Sequence, residues 1–477
     1  MKLTYNVSDK PAFGKVLVFA FQQLLAILAA TIAVPAIIGN GMSQASALFG
    51  AGVGTLVYLF FTKSKSPVFL GSSFAFLGSM GAAFAGGVSA SLGFLGLLLG
   101  ALFAGLVYVV IALVVRACGS AWVDKLMPAV VIGPTVAIIG LSLAGNAVGD
   151  LTKGNVTHKV SEIVAELDAA GNPIAKTIEN DVQNASTYLC LLCGLVTLFV
   201  TIICSVYGKK MAKMIPFIIG IAAGYALAAV FTAIGLKTDK EELQIVNFAL
   251  FESMDWNPIS TIKGFSFYKA FFGDAYAYGN VETMGSYIIK IAVAYVPVAF
   301  VVFAEHIADH KNLSSIIESD LLKDPGLDRT LLGDGVGSVV GAFFGGCPNT
   351  TYGESVGCVA ISGNASSVTI FVTAILAIIA SFIAPFVTLL ATIPSCVMGG
   401  VCFALYGFIA VSGLKMLQKV DLDNNRNLFV VSVILIAGVG GMLIKVKAVE
   451  ITEVACALIL GILVKLVVKP ENCDKNE

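Results

Sequence analysis

Between Val301 and Asn312 the chain reads VVFAEHIADHKN, which packs Glu305, His306, Asp309 and His310 into a short stretch directly behind an apolar run. Carboxylates and imidazoles at this density could ligate a metal, act as an acid/base pair, or build a polar binding site inside an apolar segment. On a helix, Glu305 and Asp309 are i, i+4 neighbours, as are His306 and His310, and the two pairs point about 100° apart. The acids then line a cavity with His306 flanking it. His310, one residue before Lys311, reads as an interfacial residue without a special role.

A zinc-protease reading takes His306-Ile-Ala-Asp-His310 as a variant of H-x-x-E-H. It requires a third ligand, and the one other histidine, His158, lies outside the apolar runs, so no metal is expected. No G-x-S-x-G is present, and the glycines of GDGVGSVVG follow no predicted strand; they read as helix packing and not as a phosphate loop. The chain is not expected to be an enzyme.

The elements that position these residues are set by composition. At 57% hydrophobic and 12% charged residues, with a mean hydropathy of +0.92, this is an integral membrane protein whose partner is lipid. A formal charge of −1 and the lack of Lys/Arg-rich blocks leave no face for nucleic acid. Cys190 and Cys193 form a C-x-x-C, but one inside an apolar span, where cysteine is a small packing residue. The N-terminus lacks the order of a cleaved signal peptide.

Apolar runs start near Val16, Ala45, Leu92, Leu126, Thr187, Met214, Ile288, Val368, Pro394, Leu428 and Ile451. Weaker, Gly/Ser/Thr-rich stretches near Pro67, Leu331 and Thr350 bring the count to about fourteen. With all counted and both termini cytoplasmic, Lys63, Lys65, Arg116, Lys125, Lys209, Lys210, Lys213, Lys311, Lys323, Arg329, Lys415, Lys419, Arg426 and the C-terminal lysines share the cytoplasmic side. The long segments 146–185 and 237–286 then face outside.

The halves echo each other. FQQLL, GSSFAF and PAVVIG in the first are matched in order by AEHIA, NTTYGE and PSCVMG in the second. A duplicated unit of about seven spans inverts its second copy, and in inverted-repeat transporters Gly-interrupted segments at equivalent positions unwind near mid-membrane. LGSSFAFLG and NTTYGESVG are that pair. The second carries Glu354, an acid as deep as Glu305; a charge at the bilayer centre costs about 2.5 kcal/mol or more, so both acids are functional candidates.

Carboxylates accept hydrogen bonds whereas freed backbone amides and helix N-termini donate them. A planar ligand with both N–H donors and C=O acceptors suits such a site, with Phe74 and Tyr352 bracketing its ring. A nucleobase fits. Burial favours the neutral form of a carboxyl group, so Glu305, Asp309, Glu354 and the neighbouring His306 are the candidates for carrying a coupling proton; sodium also suits carboxylates and carbonyls.

At LGSSFAF, AEHI with DLLKDPGL behind it, FFGGCPNTTYGESVG and IPSCVMGG, the chain resembles the nucleobase–ascorbate transporters, and among them most closely the bacterial uracil permeases. The resemblance implies an all-α polytopic fold of fourteen spans in two inverted seven-span repeats, with short strands and half-helices in spans 3 and 10, working as a homodimer in the bacterial inner membrane. It implies a core domain (1–120 and 287–390), a gate domain (121–236 and 391–470), an outside loop at 237–286 and a cytoplasmic tail at 471–477. Residue by residue it implies that Glu305 and Glu354 bind the base, with Phe74, Tyr352, Ser73, the Gly353 backbone and Ala30 around it. The activity implied is proton-coupled uracil import without a cofactor, the alternative being a xanthine, urate or other purine permease. An anion exchanger on the same plan is disfavoured, since paired carboxylates repel an anion. The chain departs from the family pattern at Gln22-Gln23, where many members have Gln-His, and at Asp309, where some uracil permeases have His. The aromatic GFSFYKAFFGDAYAYG within 237–286 exceeds what the family leads one to expect.

Overall fold

The computed structural model describes residues 3–167, 173–209, 211–418, 420–446 and 449–468. Lys210, Lys419 and the tail from residue 469 lie outside these, so that part of the charge reading has no structural counterpart. In chain order the main elements are α1 (Phe13–Ile38), α2 (Gln44–Phe61), β1 (Leu70–Ser72), α3 (Phe74–Phe84), α4 (Ala90–Cys118), α5 (Ala129–Ser142), β2 (Thr157–Leu167), β3 (Pro173–Gln183), α6 (Thr187–Tyr207) and α7 (Pro216–Thr238). There follow α8 (Met284–Ile317), α9 (Leu327–Gly345), β4 (Asn349–Thr351), α10 (Gly353–Ser362), α11 (Ser367–Ala380), α12 (Ser395–Leu417), α13 (Asn425–Val439), β5 (Ile444–Val446), β6 (Val449–Ile451) and α14 (Glu453–Val467).

Eight of the described helices are long and apolar enough to cross a membrane, or nine when α11 and the helix Ala384–Thr392, bent by 84°, count as one span. Their ends carry local stop and start signals. Ser43, Ser89 and Thr283 cap α2, α4 and α8 through hydroxyls that accept from Ser46 N, Leu92 N and Ser286 N. Left-handed Gly346 and Gly363 close α9 and α10.

The strand content exceeds the reading of short strands in two spans. In the segment 146–185, read as an outside loop, β2 and β3 pair antiparallel from Thr157↔Gln183 to Leu167↔Pro173; between α13 and α14, β5 pairs with β6. Val, Ile and Thr recur through both arms of the first hairpin, a composition that favours strands and that a hydropathy reading passes over. The segment 237–286 is likewise built: it holds the short helices Ala249–Glu252, Pro258–Lys263 and Ser266–Phe272. Its aromatic stretch clamps the helix ends beneath it. Phe265 lies 4.7 Å from the Phe49 ring of α2, and Phe267 stacks at 4.8 Å on Phe343 of α9. Lys269 donates to the Gly41 carbonyl and sits 5.0 Å over the Phe94 ring of α4.

α2 and α9 pack through small residues. A Cβ added at Gly50 would meet the Gly341 carbonyl oxygen at 2.3 Å, a backbone atom that cannot swing away. Close approach of backbones replaces the hydrophobic driving force that lipid does not supply. Gly50→Val should therefore push α2 off α9 and lower unfolding stability by about 2 kcal/mol or more, read by thermal unfolding in detergent; unchanged stability would show that the two helices do not depend on this contact.

Candidate functional site

Pro67 and Pro348 stand just before the two short strands, and proline disfavours helix in the residue preceding it. The freed segments pair: Leu70↔Thr351, Gly71↔Thr350 and Ser72↔Asn349 form an antiparallel ribbon, all six residues buried. Side chains of the surrounding helices complete its hydrogen bonds. Thr55 of α2 accepts from Leu70 N (3.0 Å) and Ser355 of α10 accepts from Phe69 N (3.0 Å); in the other direction, the ribbon's Asn349 Nδ2 donates to Gly50 O of α2 (3.2 Å). Gln23 of α1 donates to Ser355 Oγ at 2.5 Å, which gives that neutral amide a structural task of tying α1 to α10.

α3 and α10 leave opposite ends of this ribbon with their N-termini beside it, so both present the partial positive ends of their dipoles there. Around the start of α10 the structure brings together three of the sequence-predicted acids. Asp309 Oδ2 accepts from Thr351 Oγ1 at 2.7 Å, and Asp309 Oδ1 lies 3.8 Å from where a Cβ on Gly353 would stand. Glu354 occupies the first turn of α10, and Gly353 is exposed. Glu305, half-buried, lies within coulombic reach of Asp309, Glu354 and Asp334 and makes no hydrogen bond among the described residues. Ser73 is buried with its hydroxyl unpartnered among those residues, and Ala30 is fully buried on α1.

The two aromatic rings have separate surroundings. Tyr352 donates to Ser72 O at 2.9 Å and its ring lies on Gly71, where a Cβ would come within 2.3 Å of it. Phe74 meets Tyr406 of α12 edge-on at 5.4 Å and 83°.

The histidines differ from their reading. His310 is not interfacial but buried: its Nδ1 bonds to His306 O (2.8 Å) and its Nε2 to the Tyr58 hydroxyl (2.7 Å), which also bonds Ser66. His306 turns away from the acids; its Nδ1 meets Asp334 Oδ2 at 2.7 Å and its Nε2 meets Thr330 Oγ1 at 3.1 Å, both on α9. The rings stack at 4.0 Å. The i, i+4 geometry thus divides α8 into an acid face toward the ribbon and a histidine face locked to α2 and α9. The glycines around Asp334 do pack helices, but the acid among them was missed, although the rule that singled out Glu305 and Glu354 applies to it equally. Thr351 lies in the NTTYGE motif but was given no role there, and Tyr406 carries no signal in the sequence, because only the fold brings it here.

A ribbon of broken spans, acids at a helix N-terminus and a shell of apolar helices define a membrane transport protein. The model described as Permease family (Xan_ur_permease) matches residues 14–447. The uracil permease of Bacillus subtilis (strain 168) is 37% identical over 484 residues, 100% of this chain and 98% of that one. The uracil permease of Escherichia coli (strain K12) is 33% identical, over 97% of this chain and 94% of that one. Among solved structures, the transmembrane domain of the cyanobacterial bicarbonate transporter BicA superposes with a TM-score of 0.60 at 14% identity, covering 97% of this chain and 98% of that one. Murine Slc26a9, an anion transporter, superposes at 0.61 and 12%, covering 97% and 69%. Those likenesses concern the fold. The chain belongs to the permease family of nucleobase–ascorbate transporters; it is a transporter and not an enzyme.

Truncating Asp334 would strand His306 in the interior. Asp334→Ala should cost about 3–5 kcal/mol of stability, whereas Asp334→Asn, which keeps an acceptor, should cost less. Thermal unfolding of the two variants compares them, and equal losses would mean that the pair's hydrogen bond is not what holds α8 to α9.

Proposed function

We propose that this permease imports uracil across the bacterial cytoplasmic membrane by alternating access, driven by the proton gradient, as a homodimer with both termini inside. The observation that carries the reading is the pair of acids, Glu305 and Glu354, beside a buried ribbon whose two half-helices aim their N-termini at it. A pyrimidine base offers N–H donors to the carboxylates and C=O acceptors to the amides at the starts of α3 and α10. Full-length relatives named uracil permeases support the choice of base.

Two runs of like elements support fourteen spans in two inverted repeats. Helix, helix, strand with half-helix, then four further helices of 14 residues or more occur from α1 to α7 and again from α8 to α14. In this reading α1–α4 and α8–α11 form the core, and the others form the gate against which it moves. Phe74, Tyr352, Ser73, Ala30 and the Gly353 backbone surround the base, and Asp309, held by Thr351, shares the coupling proton with the two glutamates. His306, with both ring nitrogens engaged by α9, serves the coupling as a support of the acid-bearing helix.

The test is uptake of radiolabelled uracil into proteoliposomes under an imposed pH gradient, with and without sodium, competed by xanthine, urate and adenine. Accumulation that needs the proton gradient and resists purines is expected. Purine-sensitive uptake without uracil transport would replace the substrate, and a strict sodium requirement would replace the ion.

Glu305→Gln and Glu354→Gln should each weaken uracil binding about ten- to a hundredfold, the value of a charge-assisted hydrogen bond of about 1.5–3 kcal/mol. Isothermal titration measures this, and near-normal affinity in both would remove the acids from the site. Asp309→Asn should bind uracil normally but accumulate it poorly under a pH gradient; unimpaired accumulation would move the proton elsewhere.

A further inference from the structure

A cavity of about 660 Å³ lies away from the acids, at the membrane face where the lysines of the short loops gather. Four parts of the chain wall it: the N-terminal strap (Val7, Ser8, Lys10), the loop after α2 (Lys63, Ser64, Lys65), the chain after α8 (Ile317, Ser319, Asp324), and the first turns of α11 (Ser367, Val368, Phe371). Three lysines face one acid. Lys65 is paired with Asp324 at 2.6 Å, while Lys10 and Lys63 have no acidic partner among the described residues. At the start of α11 the Ser366 hydroxyl is turned to Asp9 O (2.6 Å), Ser367 N donates to Val7 O of the strap (3.1 Å) and Thr369 N donates to Ser366 O (3.0 Å), so the helix end adds its dipole to the positive potential. On the same apolar helix, one turn after Ser367, Phe371 is half exposed, so the cavity is open to an acyl chain as well as to an anion.

We propose that this cavity binds the head group of an anionic phospholipid, its phosphate held by Lys10 and Lys63 beside the start of α11 and its chains running along Phe371. The location decides between sources of phosphate: a basic pocket at the level of the head groups, with one apolar wall, matches a lipid better than a soluble anion. Bound there, the lipid pins the strap and the α2 loop against α11.

The experiment uses the full-length protein in neutral detergent, titrated with dioleoylphosphatidylglycerol or dioleoylphosphatidylcholine. Retained lipid is counted by native mass spectrometry and inorganic phosphate serves as competitor. One saturable phosphatidylglycerol is expected, with phosphatidylcholine retained weakly and millimolar phosphate unable to displace the lipid. Each lysine at a lipid surface contributes about fivefold, so the double variant Lys10→Gln/Lys63→Gln should lose roughly twenty-five-fold in affinity. Lys10→Arg/Lys63→Arg should restore it, and Lys237→Gln/Lys240→Gln, in the 237–286 region, should bind as the unaltered protein does. Equal retention of both lipids, an unaffected double variant, or displacement by phosphate alone would overturn the proposal.

Discussion

Everything about the site depends on one rule of the hydrocarbon phase: a backbone amide or carbonyl there must find its partner within the protein. A helix meets the rule by itself, and an unwound segment cannot. Here two segments are unwound at once and satisfy each other as β1 and β4. Amides that the pairing leaves over at Leu70 and Phe69 are met by Thr55 and Ser355, from different places in the chain, and Gln23 in turn holds Ser355. The small residues around the ribbon follow from the same need, since such partners reach a backbone only where helices approach closely.

α8 shows how one helix serves two ends. On its histidine face, hydrogen bonds to Asp334, Thr330, Tyr58 and the His306 carbonyl engage all four ring nitrogens with protein. On its acid face Asp309 is held by one threonine and Glu305 by no hydrogen bond among the described residues. A fixed face positions an open one, which stands beside the start of α10.

Much of this was legible in the chain. Hydropathy located the long helices, and acids inside apolar runs marked Glu305, Asp309 and Glu354. The internal echo singled out LGSSFAF and NTTYGES, the two segments that unwind and pair. What was not legible depends on contacts between distant segments. Whether His306 faces the acids or α9 turns on the position of Asp334, twenty-eight residues away, and no local pattern sets that. His310 looked interfacial because Lys311 follows it, yet the neighbour that decides its burial is Tyr58, far back on α2. The hairpin β2/β3 and the aromatic clamp at Phe265 and Phe267 went unread because a search for spans treats whatever lies between them as loop.

The ribbon also constrains how the protein is made. β1 leaves the ribosome long before β4 exists, and until Asn349–Thr351 arrive the backbone of Leu70–Ser72 has no strand to pair with. A lone edge strand cannot rest in lipid. The first half of the chain must therefore wait shielded, in the translocon or at the head-group level, and it becomes a stable membrane body only when the second half closes over it. The two halves therefore complete each other at this ribbon, and the strand that closes it is supplied by the second.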